Sequence, residues 1–120
     1  MLGSEQSIYA HQIASAEAVA ILNDGLRKHG KGGLIVITRG VRALPKYDPA
    51  KLMRVLASFE SFDPDNDPHG ERDFGDVELC GQTLLWKIDY YDNELEQASL
   101  DAADPLVTTR VLTVMLEHEY

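Results

Sequence analysis

Cysteine is nearly absent. Cys80 stands alone, so the chain cannot close an internal disulfide and must be held by packing. No apolar run approaches the ~18 residues that a membrane-spanning helix requires. The opening Met1-Leu2-Gly3-Ser4-Glu5-Gln6 lacks the basic-then-apolar order of a secretory signal. These absences lead us to expect a cytoplasmic protein with no membrane segment. Aromatic residues are few, at 8%, with one tryptophan. Positive charge is scarce in the second half: residues 61–120 hold three Lys or Arg against fifteen Asp or Glu. No nucleophile elbow and no phosphate-binding loop is present. Gly30-Lys31-Gly32-Gly33 precedes a strand rather than a helix, so it lacks the phosphate-loop context.

What is present is an ordinary globular composition, 44% hydrophobic and 26% charged, in 120 residues. That length fits a single domain spanning residues 1–120 with its own core. Net charge is −9 and unevenly distributed. Residues 1–60 carry eight basic against five acidic side chains, the basic ones running from Arg27 to Arg54. The simplest reading is that the two halves fold together and partly neutralise. The other is that the polarity steers a charged partner.

Helical spacing predicts a first helix over about Glu5–His29, with Ile8, Ile13, Ala16, Val19, Ala20, Leu22 and Leu26 on one face. Asn23-Asp24-Gly25 is a weak spot in it, and Gly30-Lys31-Gly32-Gly33 ends it. Leu34–Thr38 is apolar on both faces, which predicts a central, covered strand. Asp48-Pro49 pairs a cap with a proline at the first helical position. A helix with the stripe Leu52, Val55, Leu56 and Phe59 follows. Phe74–Leu79 and Thr83–Tyr90 read as a hairpin around Cys80-Gly81-Gln82, with Leu84, Trp86, Ile88 and Tyr90 on the apolar face. Trp86 is expected in the core and Cys80 as an inert thiol. Tyr91–Ala103 reads as an acidic loop. Asp104-Pro105 repeats the cap-and-proline device and predicts a last helix carrying Val107, Val111, Leu112, Val114, Met115 and Leu116. The expected fold is α+β in the order α-β-α-β-β-α, a small antiparallel sheet of about three strands with about three helices mostly on one face.

The stretch Phe62–Gly75 places Asp63, Asp65, Asp67, His69, Glu71 and Asp73 at alternate positions among prolines and glycines. Three readings compete. Asp63, Asp65 and Asp67 imitate the first ligands of an EF-hand loop, but Pro68 stands at its sixth position and Phe74 at its twelfth. A divalent metal held there would be irregular. If His69–Asp73 is extended, then His69, Glu71 and Asp73 share a side. Such a set suits a transition metal or acid–base catalysis, as in a small metal-dependent hydrolase built on Asp65, Asp67, His69, Glu71 and Asp73. The leading reading is structural, with Asx turns at Asp63, Asp65 and Asp67, His69 bonding a carboxylate, and no cofactor. Lys87, Asp89 and Tyr91 lie on the polar face of their strand. With Arg110 they form either a polar pocket or, through Arg110 and Asp89, a buried ion pair.

Several segments resemble the bacterial family catalogued as domain of unknown function 3768. They are Asn23-Asp24-Gly25-Leu26-Arg27, Ile37-Thr38-Arg39-Gly40-Val41, Asn66-Asp67-Pro68-His69-Gly70-Glu71, Asp73-Phe74-Gly75, Trp86-Lys87-Ile88-Asp89-Tyr90-Tyr91-Asp92, and Ala103-Asp104-Pro105 through Thr109-Arg110-Val111-Leu112-Thr113. The resemblance covers roughly residues 20–120. It implies a small soluble protein often carried on plasmids and other mobile elements, with no established activity to transfer. The chain departs from the family pattern at Arg72, where His is usual, and this weakens schemes that need a second histidine. Mobile-element genes often act against host defences, so the resemblance also implies an inhibitor role.

The acidic balance argues against direct nucleic-acid binding. It favours instead a non-enzymatic binding module that turns Asp92, Glu94, Glu96, Asp101 and Asp104 toward a basic protein partner, such as the nucleic-acid channel of another protein. The alternatives are the metal-dependent hydrolase and a structural domain of a larger assembly.

Overall fold

The structure is a computed structural model that describes residues 4–120, with side chains from Ser15 onward. It is an α+β fold with three helices and a four-stranded mixed sheet.

Helix α1 runs Ser4–His29. Its stripe Val19, Ala20 and Leu26 is buried, while Ile8 and Ile13 lie outside the residues with described side chains. Asn23-Asp24-Gly25 does not break it. Asn23 and Arg27 share the buried stripe, so the apparent weak spot is a polar contact surface. Gly30 and Gly32 take positive φ (66° and 87°) and turn the chain out of the helix.

Strand β1 follows at Gly33–Ile37. It is an edge strand, not a central one, because the sheet order is β1-β4-β3-β2. One face packs Ile35 and Ile37 against the core, and the other leaves Leu34 and Val36 exposed. A five-residue apolar run carries no signal that separates the two positions. A single helical turn, α2 at Arg39–Arg42, is capped by the Thr38 hydroxyl. It is too short for a periodic signal.

Helix α3 is Pro49–Ser58. The Asp48 carboxylate accepts the amides of Ala50 and Lys51 at 3.0 and 3.2 Å, so the cap-and-proline signal works here. Leu52 and Leu56 are buried against the sheet. Strands β2 (Phe74–Leu79) and β3 (Gln82–Tyr91) form the expected hairpin. Its two-residue turn is Cys80-Gly81, both at positive φ as a type I′ turn requires. Leu84, Trp86 and Ile88 face the helices and are buried. Each such side chain contributes about 1.5–3 kcal/mol. Gly75 keeps this layer tight: a Cβ there would lie 2.6 Å from Phe59 and 2.8 Å from the Trp86 indole nitrogen.

The last long element is a strand, β4 (Thr109–Leu116), where the sequence predicts a helix. It runs antiparallel to β3 and parallel to β1, filling the gap between them. Arg110, Leu112 and Val114 point inward and alternate with half-buried residues, a period of two that the β-branched content favours. Asp104-Pro105 opens no helix. The Asp104 carboxylate accepts the Leu106 amide at 2.9 Å and closes a turn. The order is therefore α-β-α-α-β-β-β, closed by one 3-10 turn at Glu117–Glu119.

Candidate functional site

Two regions converge at one end of the sheet. The first is a buried polar cluster formed where α1 crosses β3 and β4. Asn23 donates to the Glu71 carbonyl at 3.0 Å and to the Tyr90 hydroxyl at 2.8 Å, and its amide oxygen accepts Arg110 Nε at 2.9 Å. Tyr90 donates to Glu71 Oε1 at 2.9 Å. Arg110 also donates to the Ala102 carbonyl, and its guanidinium sits 5.3 Å from the Tyr90 ring. Asn23 and Arg110 are almost wholly inaccessible, at 0% and 1%. Burial holds the Arg110 pKa below its usual value and raises the Tyr90 phenol well above its own. The cationic charge is therefore satisfied by an amide oxygen, a backbone carbonyl and an aromatic face.

This corrects the expected Arg110–Asp89 pair. Asp89 lies on the opposite face of the sheet and binds Lys87 at 2.8 Å. That pairing raises the lysine's pKa. Lys87, Asp89 and Tyr91 therefore share no pocket with Arg110.

Arg27, the first residue of the expected basic cluster, is also internal. It donates to the Leu56 and Phe59 carbonyls at 2.7 and 2.8 Å, satisfying the C-terminal end of α3. Its guanidinium lies over Phe62 and Trp86. Asp24 bridges Arg27 (3.2 Å) to Arg72 (2.7 Å). Arg72 thus ties the acidic stretch to α1 from a backbone with φ of 53°.

The stretch itself is ordered by its own side chains. Asp63 accepts the amides of Asp65 and Asn66 at 2.8 and 3.0 Å, and Asp67 accepts the Arg72 amide at 2.9 Å. Asn66 ties back to Ser61. His69 is exposed, whereas Glu71 turns inward to Tyr90. Burial, then the neighbouring Glu71, pushes the Asp73 carboxyl upward. Among the described residues no three His, Cys, Asp or Glu side chains gather as a metal site requires. Cys80 is a free thiol directed at the Lys46 carbonyl.

The second region is the loop after β3, residues 92–108. It is an ordered scaffold. Asp92 Oδ1 accepts the amides of Glu94 and Glu96, at 3.2 and 3.0 Å. Asp101 accepts the Ala103 amide at 3.0 Å. Asn93 donates to the Leu106 carbonyl at 2.8 Å, and Thr108 binds Ser99 and the Asp101 carbonyl. Asp92, Asp101 and Asp104 therefore build the loop, while Glu94 and Glu96 are exposed. Sequence reasoning missed what lies between them. Leu100 and Leu106 are 98% and 82% exposed, and Leu95 and Val107 are exposed as well. Asp92, Asn93, Glu94, Leu100 and Val107 line a shallow cleft of about 270 Å³. The available signal was leucine within a turn-rich acidic segment, which no helical or strand period claims.

The buried cluster anchors this loop, since Arg110 links Asn23 to Ala102. The Asn23–Arg27, Asn66–Glu71, Trp86–Asp92 and Thr109–Thr113 segments, far apart in sequence, meet around it. The model for the family described as "Protein of unknown function (DUF3768)" matches residues 37–119. The chain belongs to that family. The DUF3768 match covers α3, strands β2, β3 and β4 and both acidic stretches but leaves Asn23–Arg27 and all of β1 except Ile37 outside it. No curated protein and no solved structure matches the chain.

Proposed function

We propose that this DUF3768 protein is a binding module, not an enzyme, and that its loop 92–108 docks a basic, partly apolar surface of a protein partner. The observation that supports the reading is the exposure of Leu95, Leu100, Leu106 and Val107 among carboxylates on a loop held by its own hydrogen bonds. Exposed leucines grouped on one loop favour contact over solvation. The surrounding carboxylates supply attraction to a cationic partner and speed encounter. A pre-ordered loop loses little conformational entropy on binding. In its narrower form, the protein is an accessory or inhibitor protein of a mobile element that covers the nucleic-acid channel of a host protein.

The test uses a cationic amphipathic peptide of alternating lysine and leucine, titrated into isotopically labelled protein. Chemical-shift changes are expected on residues 92–108. Glu94→Lys combined with Glu96→Lys and Leu100→Asp should weaken binding by at least about tenfold, ~1.4 kcal/mol. Thermal stability should be unchanged, because none of the three side chains builds the loop. Unchanged affinity in that variant, or shifts confined to other surfaces, would sink the proposal.

A further inference from the structure

Strand β1 is an unprotected sheet edge. Among the described residues it pairs with β4 alone, and no other backbone or side-chain hydrogen bond reaches Gly33–Ile37. The Thr38 amide donates to the Val114 carbonyl at 3.1 Å. In a parallel ladder the two sides of a strand alternate, so Leu34 and Val36 also turn their polar backbone toward β4. The amides and carbonyls of Gly33, Ile35 and Ile37 therefore face outward along the free edge. Natural edges carry charges, proline or a bulge to discourage pairing. The opposite edge, β2, has exposed Asp76 and Glu78. Gly33-Leu34-Ile35-Val36-Ile37 has no such guard.

Exposed cationic side chains flank both ends of this edge, and one carboxylate, Glu119, sits beside the second end on the Thr38 hydroxyl at 2.8 Å. Lys31 lies two residues before the strand, Arg39 two residues after it and Arg42 one turn further, all exposed. Among the described residues none of the three takes part in an ion pair. We propose that the β1 edge accepts an extended, acid-flanked segment of a protein partner as a fifth strand of the sheet. The partner's backbone bonds to Gly33, Ile35 and Ile37, and its apolar side chains lie beside Leu34 and Val36. Its flanking carboxylates meet Lys31 and Arg39. This is strand addition, in which the main chain provides affinity and flanking groups provide selectivity. A second copy fits the edge poorly. Antiparallel pairing of two β1 strands about Ile35 sets Lys31 of each copy opposite Arg39 of the other, like charge against like.

The site is separate from the 92–108 loop, so the two proposals fail independently. The probe is a synthetic peptide of alternating valine and threonine flanked by two glutamates at each end, with a lysine-flanked counterpart. Amide hydrogen exchange is followed on the full chain. The acid-flanked peptide should slow exchange at Gly33, Ile35 and Ile37 by at least about tenfold, while the lysine-flanked one should not. The Lys31→Glu/Arg39→Glu double variant alters only exposed side chains and should invert that preference. Glu94→Lys/Glu96→Lys should leave it intact. The proposal is overturned by an absence of protection at millimolar peptide, or by equal binding of both peptides. Concentration-dependent protection of the same amides without peptide would also overturn it, because a second copy would then be the occupant.

Discussion

Asn23 is the residue on which the buried cluster turns, because one side-chain amide serves Arg110, Tyr90 and the Glu71 backbone at once. Removing it leaves a buried guanidinium with one fewer acceptor and the Tyr90 hydroxyl and Glu71 carbonyl without their amide donor. Asn23→Ala is therefore expected to lower the unfolding free energy by about 2–4 kcal/mol in urea denaturation. A loss below about 0.5 kcal/mol, the range of ordinary surface substitutions, would show that the cluster is not the anchor described here. Asp73 makes a pH prediction. Its carboxyl is raised in the folded state by burial and by Glu71, so folding favours the protonated form. Its contribution falls as pH rises from the ordinary aspartate range through the raised folded value. Asp73→Asn should accordingly raise the melting temperature at pH 7 and leave it little changed at pH 3. A wild-type-like pH profile in the variant would refute the assignment.

At the scale of elements, the loop of residues 92–108 shows why an ordered segment can be strained. Leu95 sits at φ 59°, a conformation that costs a branched side chain roughly 1–2 kcal/mol. Its amide is held by the Asp92 carbonyl at 3.0 Å, which keeps the leucine side chain exposed. Leu95→Gly should relieve the strain and raise stability by a few tenths to about 1 kcal/mol. The same variant should bind the cationic peptide more weakly. Calorimetry and a binding titration on one sample read both effects, and a fall in stability would mean that Leu95 packs inward instead. The acidic stretch of residues 62–73 behaves differently. Of the Asx turns expected at Asp63, Asp65 and Asp67, only the one at Asp63 forms: Asp67 accepts the amide five residues on, the Asp65 carboxylate accepts none among the described residues, and the Asn66 amide oxygen accepts the Asp63 amide instead.

Across the whole molecule, charge separation survives folding. One ion pair among the described residues, Arg72–Asp24, joins the basic first half to the acidic second. The others lie within one half: Lys28–Glu60 and Arg27–Asp24 in the first, Lys87–Asp89 in the second. The chain therefore presents an acidic loop with exposed leucines and, at the β1 edge, a cationic border. Association with a cationic peptide should weaken markedly as salt rises from 50 to 500 mM, where the screening length shrinks from more than ~10 Å to less than ~8 Å. Isothermal titration at several salt concentrations checks this, and a salt-independent affinity would leave the leucines as the sole determinant. No described helix is long and apolar enough to cross a membrane.

Local chemistry settled much of this protein from its sequence alone. The Asp48-Pro49 start of α3, the hairpin around Cys80-Gly81, the glycine exit from α1, the inward face of β3 and the Asx turn at Asp63 all follow from side chains acting within a few residues of themselves, although Gln82, read with the turn, belongs to β3. Tertiary structure decided what depends on distant neighbours. Asp104-Pro105 has the same letters as Asp48-Pro49, yet the segment after it becomes β4, because β1 and β3 both offer it backbone partners. Once Arg110 lies on that strand it faces Asn23 rather than Asp89. The edge position of β1 and the exposure of Leu100 and Leu106 likewise depend on which surfaces other elements leave uncovered. A residue's type sets which contacts it can make, and the packing of remote elements sets which of them it makes.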